Sequence, residues 1–135
     1  MLQQGIYQRF PRIRWQLSHG GGTIPFLAQR SSQALAPSGA VGTNTSSQRA
    51  YAHMYVDTAL SSAPASMASV KQATDITHIM WGTDYPYGGI VYALKFSGDP
   101  NAELNDSLTT TERQLVDRGN ALAQLPGLRR RLGEA

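Results

Sequence analysis

Residues 79–86 read Ile-Met-Trp-Gly-Thr-Asp-Tyr-Pro, and this stretch decides the architecture. Three consecutive apolar side chains, Ile79, Met80 and Trp81, suit a strand covered on both faces, as strands of parallel sheets are. The strand is expected to run from Ile79 to Asp84 and to give way to a long irregular loop holding Pro86, Gly88, Gly89, Gly98 and Pro100. Two upstream segments repeat the pattern of an apolar strand, a polar end and a helix. Met54 to Ala59 is followed by Ser61 and Ser62 as candidate N-caps, Pro64 in the first helical turn, and Ala63, Met67 and Val70 at helical spacing. Ile13 to His19, introduced by Pro11, turns through Gly20, Gly21 and Gly22 into a helix over Pro25 to Leu35 with Phe26, Leu27, Ala34 and Leu35 on one face. Beyond the long loop, Thr109 and Glu112 have the spacing of a capping box. They open a last helix with Leu115, Val116, Gly119 and Leu122 on one side, ended by Pro126 and Gly127.

Strands that alternate with helices imply parallel pairing through right-handed crossovers, hence an α/β fold. A (β/α)₈ barrel needs about 250 residues, so these 135 residues, with three strand-helix units and a terminal helix, are expected to supply only part of one. Residues 36–50, rich in Ser, Thr, Gly and Ala, read as a polar loop, and a single partial domain is expected over residues 1–135. The first strand departs from the pattern, because Arg14 and Gln16 alternate with Ile13, Trp15 and Leu17 where a barrel strand buries both faces.

With 41% apolar and 16% charged residues the chain has a globular composition. It has no cysteine, which removes disulfides, thiolate metal sites and a cysteine nucleophile. No apolar run approaches the roughly 20 residues of a membrane span. Met1 to Phe10 lacks the apolar core of a secretory signal, so a soluble, cytoplasmic protein without a membrane partner is expected. The net charge of +3 comes partly from Arg129, Arg130 and Arg131. No stacking aromatics are interleaved with that cluster, which reads as a solvated helix end and not as a nucleic-acid surface.

In parallel α/β folds the reactive side chains gather where strands end, since loops there vary over a rigid support. That rule selects Ser18-His19, Asp57-Thr58 and Thr83-Asp84. Two carboxylates and an imidazole at one mouth would suit metal binding with acid/base work. Each also has a plainer use. His19 can be a hydrogen-bonded structural residue, Asp84 can accept backbone hydrogen bonds in a turn, and Asp57 can orient Thr58 or neighbouring backbone. His53 and His78 precede their strands, at the opposite end of the sheet, and are expected to be structural. Gly20 to Gly22 lack the Gly-Lys-Ser/Thr of a phosphate loop.

Taken together, Pro11, Ser18 to Gly22 (Ser-His-Gly-Gly-Gly) with Pro25-Phe26, Tyr55 to Ala59 (Tyr-Val-Asp-Thr-Ala), Gly82 to Pro86 (Gly-Thr-Asp-Tyr-Pro), and Asn120-Ala121 with Leu125-Pro126 resemble the amidohydrolase-related family, and within it the aminocarboxymuconate-semialdehyde decarboxylase-like branch. The resemblance implies the C-terminal portion of a TIM barrel and a hydrolase or nonoxidative carboxy-lyase acting on a small carboxylate, amide or ester. It also implies a single divalent metal, zinc as a rule, bound by a first-strand His-x-His, a fifth-strand histidine and an eighth-strand aspartate. Asp84 matches that aspartate, as catalytic residue and metal ligand. His19 matches the sixth-strand histidine that hydrogen-bonds the metal-bound water and moves protons, while Tyr85 and Trp81 shape the pocket or pack. The chain has no His-x-His and no fifth-strand histidine, so by itself it is expected to be inactive. The alternative expectation is a non-catalytic truncated barrel that associates with itself or with a complementing chain.

Overall fold

A computed structural model describes residues 6–34, 51–87 and 99–133. Its centre is a parallel three-stranded sheet in the order β1 (Gln16–Leu17), β2 (Tyr55–Asp57), β3 (Ile79–Met80). Each strand follows the segment expected from the sequence but is shorter, because ladder bonds form only where a neighbour runs alongside. The pairing extends slightly past the strands, with the Tyr55 amide donating to the Trp15 carbonyl and the Thr58 amide to the Met80 carbonyl. Beyond Met80 the next donor, the Trp81 amide, goes to the carbonyl of Val116 in a helix.

The helices lie between and after the strands. A short α1 (Ile6–Arg9) precedes β1, α2 (Ile24–Ala34) joins β1 towards β2, and α3 (Pro64–Ala73) joins β2 to β3. After a 3-10 segment (Ala102–Asp106) come α4 (Thr110–Gln114), a π turn (Leu115–Gly119), α5 (Asn120–Gln124) and α6 (Pro126–Arg131). Register puts Leu17, Val56 and Ile79 in one row across the sheet. Strand alternation turns that row to one face, where it packs with Met67 and Val70 of α3 and with Leu104, Leu108 and Val116. Asp57 and Met80 are paired on the other face.

Several sequence expectations are corrected at element ends. The residue before α3 is Ala63, and neither Ser61 nor Ser62 caps it; Pro64 takes the first helical position, where its missing N–H costs nothing. Pro126 does not merely stop a helix but opens α6, whose last turn carries Arg129, Arg130 and Arg131, all exposed. Phe26 is 83% exposed and lies off the buried side of α2. Arg14 finds its place by donating to the carbonyl of Gln124 at the end of α5, a favourable position for a cation at the negative pole of a helix. Buried Asn120 donates to the carbonyls of Ile76 and Ile79 and so satisfies the turn that enters β3. The polar loop expected at residues 36–50 and the position of Leu35 lie outside the described residues. Among the described residues no helix is long and apolar enough to cross a membrane.

The capping box forms as the sequence indicates. The Thr109 hydroxyl accepts from the Glu112 amide, and the Glu112 carboxylate accepts from the Thr109 amide at 2.8 Å. The Lys71 ammonium on α3 donates to the same carboxylate at 2.8 Å and ties the two helices together. Lys71, then the Thr109 amide and hydroxyl, hold Glu112 down at about 2 from an ordinary 4.5. A folded value below the unfolded one stabilises above the unfolded pKa and is lost as pH falls through the folded pKa. The stability difference between the parent and Glu112→Gln, measured by urea unfolding, is therefore expected to be full at neutral pH and to shrink as pH falls from about 4.5 towards about 2.

Candidate active site

Parallel pairing brings the C-terminal ends of all three strands to one edge, and each is followed by a non-glycine residue in the left-handed backbone region: His19 (φ 57°), Leu60 (φ 50°) and Asp84 (φ 60°). Each such residue costs about 1–2 kcal/mol and persists only where its surroundings over-determine it. After β1 the chain makes a 3-10 turn over His19–Gly21, with Gly20, Gly21 and Gly22 also at positive φ. A Cβ on Gly21 would stand 2.3 Å from the Tyr51 hydroxyl. That hydroxyl donates to the Gly20 carbonyl at 3.3 Å, and burial pushes it up to about 12. The glycines thus let protein pack on protein at Gly20 and Gly21, and only Gly22 faces open space.

His19 and Asp84, separated by 65 positions in sequence, meet here: His19 Nε2 lies 3.2 Å from Asp84 Oδ1. The His19 side chain is 42% exposed and that of Asp84 18%. An open cleft of about 340 Å³ runs from His19 between α2 and α3, lined also by Gly22, Thr23, Phe26, Ser61 and Ser66. Asp57 is close by without joining the pair; its Oδ1 accepts from the amides of His19 at 2.8 Å and Ala59 at 3.1 Å. Thr58 is fully buried.

The other two histidines stand apart, as expected. His53 is exposed. His78 has Nδ1 2.9 Å from the Ala52 carbonyl and its ring 4.5 Å from that of Tyr55, at the entrance of β3. Trp81 and Tyr85 are both exposed, at 41% and 72%, so Trp81 is not a core residue. Sequence reasoning missed Tyr51 as the support under the glycine turn, because a lone tyrosine before a strand carries no pattern. It also missed Asn101, whose burial becomes visible only when residues distant in sequence are assembled.

Asp84 offers one carboxylate, one of the roughly three protein ligands that a catalytic divalent ion takes, and His19 Nε2 lies against its Oδ1. Among the described residues no group of three or more metal-ligating side chains converges. The pair alone does not complete such a site.

Comparison with known proteins identifies the family and the fold. The sequence profile of the Amidohydrolase family matches residues 1–127. A 6-methylsalicylic acid decarboxylase of Penicillium expansum is 33% identical over 138 aligned positions, which cover 100% of this chain and 41% of that enzyme. The chain thus spans well under half the length of this relative. The fold is shared with 5-carboxyvanillate decarboxylase of Sphingomonas paucimobilis, with a TM-score of 0.69 and 23% identity over 91% of this chain and 36% of the other. It is also shared with a dihydroxybenzoic acid decarboxylase of Polaromonas sp. JS666, solved with manganese and the inhibitor 2-nitroresorcinol, with a TM-score of 0.69 and 17% identity over 93% of this chain and 38% of the other.

The glycine turn gives a contrast that unfolding can measure. Gly22→Ala meets no neighbour, but at φ 62°, ψ −128° it is expected to cost the strain of a backbone region that non-glycine residues rarely adopt, about 1–3 kcal/mol. Gly21→Ala adds overpacking against Tyr51, about 1–3 kcal/mol more, read as a lower urea midpoint.

Proposed function

The chain belongs to the amidohydrolase family, and from that membership and the His19–Asp84 pair we propose that it is the C-terminal, proton-handling part of a metal-dependent carboxy-lyase barrel acting on a small aromatic carboxylate. The observation that carries the proposal is the 3.2 Å approach of His19 Nε2 to Asp84 Oδ1 at one edge of the sheet. The decarboxylase chemistry of the Penicillium relative favours a carboxy-lyase over a hydrolase. In this proposal β1, β2 and β3 are three strands of an eight-stranded barrel, and the other strands come from outside the described residues.

Nonoxidative decarboxylation breaks the bond between a ring carbon and its carboxylate. Carbon dioxide leaves, the ring carbon keeps the electron pair, and that carbon takes up one proton. A group that carries a proton at the site and can reach the ring is therefore required. His19 suits the role of general acid/base, since Nε2 lies 3.2 Å from Asp84 Oδ1 while the side chain stays open to the cleft. Asp84 orients the imidazole.

Asp84 is also the ligand this chain would contribute to a divalent metal, with the remaining ligands outside the described residues. Zinc is the ion implied by the sequence resemblance, and manganese is the ion bound to the Polaromonas enzyme. Such an ion, once bound, polarises and neutralises a substrate carboxylate. The alternative of a non-catalytic assembly partner accounts for the outer edges of β1 and β3 but leaves the His19–Asp84 contact without a use.

A chimera tests the proposal. Residues 1–127 replace the matched segment of the Penicillium enzyme, and release of carbon dioxide from 6-methylsalicylate is followed. The chimera is expected to be active, and His19→Asn and Asp84→Asn are each expected to lower kcat by about 100-fold or more. A folded, active chimera indifferent to both substitutions would falsify the assignment.

A further inference from the structure

We propose that Asp57, the last residue of β2, and Thr58, the next, are positioning residues that fix the His19–Asp84 pair from the middle strand; this rests on the carboxy-lyase reading of that pair. Successive side chains of a strand point to opposite sides, so these two neighbours can hold different loops. Asp57 serves the loop after β1. Its Oδ1 accepts from the His19 amide at 2.8 Å and the Ala59 amide at 3.1 Å, so one oxygen ties His19 to the backbone just past β2. An accepted hydrogen bond on the very amide of a left-handed residue is the kind of restraint that keeps His19 in a backbone conformation it would otherwise leave.

Thr58 serves the loop after β3. Its hydroxyl accepts from the Gly82 amide at 3.1 Å. The carbonyl of Gly82 in turn accepts from the side-chain amide of buried Asn101 at 2.8 Å. Gly82 is therefore held at both its N–H and its C=O, two residues before Asp84. It also lies directly against Asp57, since a Cβ at Gly82 would stand 2.9 Å from the Asp57 Cβ. The loop carrying His19 and the loop carrying Asp84 thus take their positions from one dipeptide. A reactive pair must be held within about 0.5 Å to be productive, and Asp57 and Thr58 act with Tyr51 on the Gly20 carbonyl and Asn101 on the Gly82 carbonyl to hold it. Asp57 is assigned a positioning role because its Oδ1 is engaged by two backbone donors, the amides of His19 and Ala59.

The test is nuclear magnetic resonance on the full chain, with proximity of the His19 ring to the Asp84 side chain read from cross-relaxation. Asp57→Asn and Thr58→Ser retain the acceptor and the hydroxyl, and both are expected to keep the contact. The near-isosteric Asp57→Leu and Thr58→Val remove them and are expected to lose it, while methyl signals of Val56, Ile79 and Val116 stay at their parent positions. Gly82→Ala, whose Cβ would press on the Asp57 side chain, is expected to weaken the contact with both hydrogen-bonding residues unchanged in identity. Persistence of the contact in Asp57→Leu and Thr58→Val with folded cores overturns the inference. The parent offers a check independent of how the variants fold: coupling across the hydrogen bonds from the Asp57 carboxylate carbon to the amide nitrogens of His19 and Ala59 is expected, and its absence overturns the role of Asp57. If these results follow expectation while the chimera is inactive, the reaction is misassigned and the positioning of the pair stands.

Discussion

The parallel pairing of β2 with β1 on one side and β3 on the other constrains everything else in the molecule. Parallel neighbours cannot be joined by a tight hairpin, so each connection must return along the sheet, which gives α3 its place between β2 and β3. The same pairing aligns Leu17, Val56 and Ile79 as one apolar row and gives the helices a face to cover. It also sends every strand towards the same edge. His19 and Asp84 are neighbours because of this shared polarity, although 65 positions of sequence separate them. An antiparallel β3 would leave the fold a core but move Asp84 to the far end of the sheet.

That edge concentrates costs that the rest of the fold must offset. Three non-glycine residues in left-handed conformation follow three strands, together a few kcal/mol of strain against a domain stability of about 5–15 kcal/mol. The offsets are specific hydrogen bonds and tight contacts: Asp57 on the His19 amide, Thr58 and Asn101 on the Gly82 peptide, Tyr51 beneath Gly20 and Gly21. At the other end of the molecule the connections are conventional. The Thr109–Glu112 capping box, the Lys71 bridge and the Asn120 contacts to the turn before β3 fasten the last helices to the sheet.

Most of the architecture was legible in the sequence because its signals are local. The apolar run at Ile79 to Trp81, the alternation of strand and helix, and the Thr109–Glu112 spacing each report a short-range preference. The errors fall where tertiary contacts override such preferences. Ser61 and Ser62 look like caps, but the chain enters α3 through Ala63, and Ser62 is buried instead. Phe26 has the right helical spacing for a core yet faces solvent. Arg14, unplaceable from alternation alone, is explained by a helix end 110 positions away. At the site, strand ends selected Ser18-His19, Asp57-Thr58 and Thr83-Asp84, and the structure joins these segments. Their division of labour was not legible, since an aspartate that accepts amides and one that faces an imidazole look alike in sequence.

Central to this account is that the His19–Asp84 pair is this chain's share of a metal-dependent site. The most direct measurement is paramagnetic broadening of the labelled chain by added manganese ion. Broadening centred on the signals of Asp84 and His19, and abolished by Asp84→Asn, is the predicted result. Broadening that leaves those two residues sharp and centres on other carboxylates such as Asp99 and Glu103, or that survives Asp84→Asn unchanged, would contradict the account.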